Sequence, residues 1–358
     1  VNDSITAVIL AGGEGTRLRP LTNTRPKPLL PILGKPCVEY VIRSLVDAAV
    51  DRAFLTCGYR SQDMVDQLGD GRQFGLDMRF AFEDHPAGTA GAVKLLEEEL
   101  SGTIVVVSGD VLADVDIRSL VAMHRRKGAL ATMALTTVDR PEEFGIVGLD
   151  DDGRIVRFKE KPRTEEVFSN LINAGIYVLE KRALQDIPEG EKYDFSKQLF
   201  PKLLARSEPL YGMPLSGMWK DIGRPRDLLD ANLRMAERKG RTIEMPGARC
   251  SGRIVATRFR AEGSEITGPA YIGEDTVIGR RASLSSCAVG DRAEVGEGTV
   301  IDDSFLMDGC SLGDGCVIRG SLLGKGCRIG QGVSIINAVL GDGISLDGPQ
   351  RVEGRTLE

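Results

Sequence analysis

Histidine is nearly absent from this chain: His85 and His124 are the only two among 358 residues. Imidazole is the side chain that most readily moves protons near neutral pH. Reactions that depend on a histidine base are therefore confined to those two positions, and none is available beyond residue 124. Seven cysteines, an odd number without paired spacing, point to free thiols in a reducing compartment rather than a disulfide framework. No apolar run approaches the length of a membrane span, and no basic segment with an apolar stretch precedes the first strand. A cytoplasmic chain without a membrane partner is expected. A net charge of −6 argues against general nucleic-acid binding, so any cluster of cations has a local purpose.

What is present is ordinary in amount and unusual in arrangement. An apolar fraction of 42% and a charged fraction of 27% are those of a globular protein. The length exceeds what one core normally supports and predicts two domains, 1–240 and 241–358, with 239–247 as the linker. Residues 5–125 alternate short β-branched runs (7–10, 53–57, 78–82, 104–108) with amphipathic stretches (37–50, 62–68, 90–100, 117–127). That alternation predicts an α/β fold, a largely parallel sheet with helices on both faces. In such sheets ligands gather beyond the carboxyl ends of the strands. From about 130 to 215 the strands crowd together, and "FGIVGLDDDGRIVRFKEK" predicts a hairpin turned at Asp151–Gly153. A final helix is expected at Pro225–Arg238.

Beyond residue 270 the period changes. Aliphatic residues recur in steps of six, six and five: Ile272, Ile278, Leu284, then Val289, Val295, Ile301, and onward to Leu340, Leu346, Val352. Each set begins 17 residues after the last, which predicts three short strands per triangular coil with like residues stacked. The pattern resembles the left-handed parallel β-helix of hexapeptide-repeat proteins. Cys310, Cys316 and Cys327 fall where Thr276, Ala282, Ala293 and Thr299 stand in other turns. They read as small inward-facing residues rather than metal ligands. Hexapeptide coils that transfer acyl groups use a histidine on the coil, and this one has none.

The first strand ends in "AGGEGTRLRP". Gly12, Gly13 and Gly15 permit close backbone approach and unusual φ angles, so that successive N–H groups can address phosphate oxygens. Arg17 follows at a reach suited to the same phosphates. Two other phosphate motifs fail in detail: Leu18 stands where a dinucleotide fingerprint needs its third glycine, and "GTR" stands where a P-loop needs Gly-Lys-Ser/Thr.

The loop is followed by further blocks in order: "RPKPLLPI", "GTAGA", "VVVSGDVLAD", "EFGIV", "FKEKP", "INAGIYVLE", "DFSKQLFPKLL" and "MWKDIGRPRDLLDAN". Together they span residues 5–235, and the chain resembles the sugar-1-phosphate nucleotidyltransferases, whose usual C-terminal appendage is a β-helix. The resemblance implies a Rossmann-like, GT-A-like mixed sheet. It also implies attack of a sugar-1-phosphate oxygen on the α-phosphorus of a nucleoside triphosphate, releasing pyrophosphate. Such transfer asks the protein for positioning and charge neutralisation rather than covalent chemistry. By the same resemblance, Asp110 and Asp221 would hold Mg²⁺, a hard ion that takes oxygen ligands. Arg17 and Lys27 would address the triphosphate, and Leu10, Gly12, Gly13, Gly15, Thr16, Glu83, Gly88 and Thr89 would line the nucleotide. Lys161 would hold the sugar phosphate, with Gly145, Glu160 and Asn173 toward the sugar. Arg19 and Arg25 are expected as surface or supporting cations, His85 as a loop residue, and Trp219 as packing beside Asp221.

Base choice is expected within "FAFEDHPAGTAGA". Thymidylyl and uridylyl members tend to carry glutamine ahead of the glycine, where Glu83 stands here, and this stretch resembles the mannose-1-phosphate guanylyltransferase branch. An ionised carboxylate only accepts hydrogen bonds; it suits guanine's adjacent N1–H and N2–H₂ and repels the carbonyls of thymine. Capping of a strand end by Glu83 stays open, as do glucose-1-phosphate branches using dTTP, ATP or UTP, a heptose-1-phosphate branch using GTP, and a regulatory paralogue without activity. A homo-oligomer is expected, with flat coil faces available for packing.

Overall fold

The computed structural model describes residues 4–58, 60–83 and 85–358. By packing, the chain forms two compact units, Val1–Gly13 with Val38–Trp219, and Glu14–Cys37 with Lys220–Glu358. The expected linker lies at 239–247 and the repeat begins beyond residue 270, whereas packing groups Lys220–Glu358 with Glu14–Cys37. The segment carrying Arg17 and Lys27 belongs with the C-terminal unit.

The first unit is built on a nine-stranded mixed sheet. Ile5–Ala11 lies at its centre, paired in parallel with Arg52–Cys57 and Thr103–Ser108, and Arg52–Cys57 pairs in parallel with the edge strand Asp77–Phe82. Helices Cys37–Asp47, Ser61–Leu68 and Gly88–Lys94 bridge these parallel steps, as parallel neighbours require. The expected hairpin forms between Gly145–Leu149 and Ile155–Glu160, and Leu171–Glu180 joins it antiparallel to Thr103–Ser108. The core is aliphatic around Val8, Val106 and Leu179, with an aromatic cluster of Tyr177, Phe195 and Phe200 whose ring centroids lie 4.9–5.6 Å apart. One helix is shorter than its sequence implies. The amphipathic stretch 90–100 is helical only to Lys94, after which Leu96, Glu97 and Glu99 bond three residues back. Three consecutive glutamates at 97–99 oppose a helix C-terminus, where negative charge is unfavourable.

In the second unit the 17-residue repeat becomes a register. Leu284 pairs with Ile301, Ile301 with Ile318, Ile318 with Ile335, and Ile335 with Val352, all in parallel. Fourteen of the fifteen aliphatic repeat positions are buried, Leu346 alone being half-buried. Like stacks on like, so the coil's core repeats one contact set along its axis. The cysteines serve this lattice. The Sγ atoms of Cys310, Cys316 and Cys327 donate to the carbonyls of Gly324, Gly330 and Gly341 at 3.1–3.2 Å. Thr276 and Thr299 donate to Gly290 and Gly313 in the same way, at 2.9 and 3.0 Å. All seven cysteines are free. Among the described residues, no helix is long and apolar enough to cross a membrane.

Candidate active site

The second unit holds five of the expected residues: Gly15, Thr16, Arg17, Lys27 and Asp221. Thr16–Leu18 forms a single 3₁₀ turn that leaves Thr16 and Arg17 exposed. Gly15 before it takes φ +64°, and its carbonyl accepts from Thr22 Oγ1 at 2.9 Å. A side chain on Gly15 would meet Lys27 Cβ at 3.0 Å, so glycine serves both backbone and packing here. Lys27 opens a second 3₁₀ turn, Lys27–Leu29, between Pro26 and Pro28. Its side chain is 8% exposed, and Nζ lies 3.5 Å from Asp221 Oδ1. A charge with so little water around it is costly unless neighbours compensate. Arg17 reaches the same place. A Cβ on Gly223 would sit 3.0 Å from Asp221 Oδ2 and 3.3–3.4 Å from the two terminal nitrogens of Arg17. Two cations and one half-buried carboxylate thus converge around a buried glycine.

Arg19 pairs at the surface with Glu14 at 3.7 Å. Arg25 instead bonds Asp342 on the coil.

In the first unit, Gly12 directly follows the central strand Ile5–Ala11, and a side chain there would come within 3.2 Å of Glu83 Oε1. Glu83 follows the edge strand, and its Oε2 accepts from the Ala87 N–H at 3.1 Å. Its charge also reaches Cys57, whose thiol is pushed up to about 12, by burial first and by Glu83 second. Of the three loop glycines only Gly15 has a positive φ; Gly12 makes room for Glu83, and among the described residues nothing lies within 4 Å of where a side chain on Gly13 would be. Leu10 is half-buried, and its carbonyl accepts from the Gly109 N–H at 2.8 Å. That bond holds the turn that presents Asp110, which is half-buried just after Thr103–Ser108.

Two expected nucleotide contacts have structural duties. Gly88, at φ +76°, lies against the backbone of Tyr193, where a Cβ would meet the carbonyl oxygen at 2.6 Å. Thr89 bonds Asp194 through its N–H at 3.1 Å, and its hydroxyl accepts from the Phe195 N–H at 3.0 Å. His85 is exposed in a loop.

The expected sugar contacts form one neighbourhood. Gly145 stands opposite Glu160 across the hairpin, where a side chain would come 2.7 Å from Glu160 Oε2. Burial holds the Glu160 carboxyl above its usual range, against the pull of Lys161 and Lys197. Lys161 is exposed, at φ +43°, with its N–H bonded to the Phe144 carbonyl at 2.9 Å. The Asn173 amide donates to Tyr177 Oη at 2.8 Å and Ser196 Oγ at 3.0 Å, and its oxygen accepts from the Gly175 N–H at 2.9 Å. Burial raises the Tyr177 phenol to about 12, with Glu160 adding to the rise.

Known proteins bear on this arrangement. The profile described as nucleotidyl transferase matches residues 6–238, and one described as the EIF2B subunit epsilon LbH domain matches 256–352. The chain belongs to the sugar-1-phosphate nucleotidyltransferase family. It is 34% identical to a UTP–glucose-1-phosphate uridylyltransferase of Synechocystis, over 84% of this chain and 82% of that one. It is 33% identical to a mannose-1-phosphate guanylyltransferase of Mycobacterium tuberculosis, over 83% of each chain. A solved structure described as a glucose-1-phosphate thymidylyltransferase from Bacillus anthracis matches with a TM-score of 0.59 and 28% identity, over 64% of this chain and 94% of that one. Residues 256–352 are accordingly a left-handed β-helix.

Sequence reasoning on this nucleotidyltransferase missed Gly223, Tyr177 and Ser196. "DIG", "NAGIY" and "DFSKQLF" did flag the stretches holding these residues, but contact partners have no sequence signature of their own. Trp219 has a defined place: its Nε1 donates to the Ala174 carbonyl at 2.8 Å, and its ring meets Phe144 edge-on at 6.0 Å. It thereby braces the strands that carry Asn173 and Gly145.

Proposed function

We propose that this nucleotidyltransferase joins mannose-1-phosphate to GTP, giving GDP-mannose and pyrophosphate. The observation that carries the choice of base is Glu83, whose carboxylate faces Gly12 at the end of the central strand. An acceptor-only group there suits guanine's paired donors. A second reading has its own observation: Glu83 Oε2 caps the Ala87 N–H, so the residue could serve the loop alone and leave a glucose-1-phosphate uridylyl or thymidylyl activity.

In the proposed reaction Lys27 and Arg17 face the triphosphate. A buried ammonium placed where charge develops is worth more than one in water. Glu160 and Asn173 offer acceptors and donors to sugar hydroxyls, and Lys161 pairs the sugar phosphate. Members of this family use a divalent metal, and we propose Mg²⁺ with Asp110 and Asp221 as ligands. Both are hard carboxylates, as that ion requires, and no group of three or more His, Cys, Asp or Glu that could hold a metal occurs among the described residues. Such an ion, when bound, would supply charge neutralisation at the phosphates.

The test is pyrophosphate release with Mg²⁺, crossing GTP, dTTP, ATP, UTP and CTP with mannose-1-phosphate and glucose-1-phosphate. Preference for GTP with mannose-1-phosphate is expected, and Glu83→Gln should reduce it by about tenfold, the value of one lost charged hydrogen bond. Preference for UTP or dTTP would select the second reading.

A further inference from the structure

The β-helix aspartates form a ladder. Asp291, Asp308 and Asp314 each use Oδ1 to accept the N–H of the residue 17 positions earlier, at 2.7–3.0 Å. Asp342 does the same for Lys325 at 2.8 Å. That bond accounts for one oxygen only. The other, Oδ2, accepts from Thr24 Oγ1 at 2.6 Å and from Arg25 Nη2. Arg25 and Asp342 are 16% and 20% exposed, so the pair is largely out of water, where geometry is held more firmly than at the surface. The guanidinium also donates to the Leu21 carbonyl at 3.2 Å and touches Met307 Sδ at 3.1 Å. Pro20 lies against Gly341, where a Cβ would meet it at 3.2 Å. The coil therefore grips 20–25 from both ends, and Lys27 is two residues further on. The carboxylate facing Lys27 is tied in a parallel way: Asp221 precedes helix Pro225–Lys239, on which Arg226 bonds Asp303 of the coil.

We infer that Asp342 is a positioning residue for nucleotidyl transfer, acting through Arg25 to hold the loop that aims Lys27. The inference rests on the proposed role of Lys27 at the triphosphate. It gives the β-helix a part in the reaction: a tether 317 residues away in sequence sets the placement of one ammonium. A loose loop costs rate, because small displacements of a charged group forfeit much of its effect on the transition state.

The decisive variant is Asp342→Asn in the full-length protein. Asparagine keeps an oxygen for the Lys325 N–H but turns a donor toward Arg25, so the ladder survives and the grip is lost. Asp314→Asn, an exposed ladder position, is the control. With the preferred substrates, Asp342→Asn should lower kcat by roughly 10- to 100-fold, with the KM for sugar-1-phosphate close to that of Asp314→Asn. A somewhat lower melting temperature is expected, because the Arg25 guanidinium keeps its charge without its partner. Arg25→Met should lose as much, and the double variant no more than either single one. Equal kcat in the two asparagine variants, or multiplicative losses in the double variant, would overturn the inference. Hydrogen exchange of residues 20–30 gives a readout independent of turnover: faster exchange in Asp342→Asn than in Asp314→Asn is expected, and equal protection refutes the grip. Wild-type protein inactive toward every substrate pair would instead sink the proposed function, while the exchange comparison would still decide whether Asp342 holds the loop.

Discussion

Replacing Lys27 by methionine tests the electrostatic heart of the proposal. Methionine keeps most of the buried aliphatic stem and removes only the charge, so little packing is lost. In the wild type, Nζ lies 3.5 Å from Asp221 Oδ1. At an effective dielectric constant of about 20 that separation corresponds to roughly 5 kcal/mol of gross attraction. The net value is smaller, because Lys27 has surrendered its hydration while Asp221, 30% exposed, keeps part of its own. A stability loss of about 1–3 kcal/mol is expected by urea unfolding. In the background of Asp221→Asn the same replacement should cost measurably less, since the partner charge is gone. Turnover should suffer more than stability: removing one preorganised charge from a transferring phosphoryl centre lowers kcat by about 10²–10³-fold. Pyrophosphate release under saturating substrates measures it directly. A Lys27→Met enzyme within about threefold of the wild-type kcat would refute the reasoning, as no buried cation in the path of the transferring charge is so dispensable.

Other consequences are open to measurement. Gly223→Ala would press a methyl group against Asp221 and Arg17, and about a tenfold fall in kcat/KM with a nearly unchanged Tm is expected; unaltered kinetics would mean that these side chains have room to spare. Cys316→Thr should be tolerated within about 1 kcal/mol, because threonine already makes the equivalent bond at Thr276 and Thr299, whereas Cys316→Leu should overpack the coil and cost about 1–3 kcal/mol. Equal losses would show that the inward site is not interchangeable. His124 is buried with Nδ1 2.9 Å from Thr132 Oγ1 and Nε2 3.2 Å from Glu180 Oε1, and burial holds its pKa below the usual value. Its contribution is complete above the unfolded pKa of about 6.5 and lost as pH falls through the folded value, by at most about 1.4 kcal/mol per pH unit. Melting scans from pH 7.5 to 5 should show that decline, and His124→Gln should flatten it; an unchanged slope would assign the decline to other groups.

The sequence by itself determined the features that are local or periodic. Alternating apolar runs placed the four parallel strands within one or two residues, and Asp151–Gly153 marked the hairpin because a tight turn has its own residue chemistry. A 17-residue repeat fixed the coil, since each aliphatic residue meets its own kind one turn away and no distant partner has to be guessed. The candidate residues were named by motif, but their surroundings were not. That Lys27 is buried beside Asp221, that Gly88 and Thr89 are committed to Tyr193 and Asp194, and that Arg25 is held by Asp342 depend on contacts between segments about 100 to 317 residues apart. Such contacts leave no periodicity to read: burial of a charge and the choice of its partner are decided by what the rest of the chain packs around it, and only the folded molecule supplies that environment.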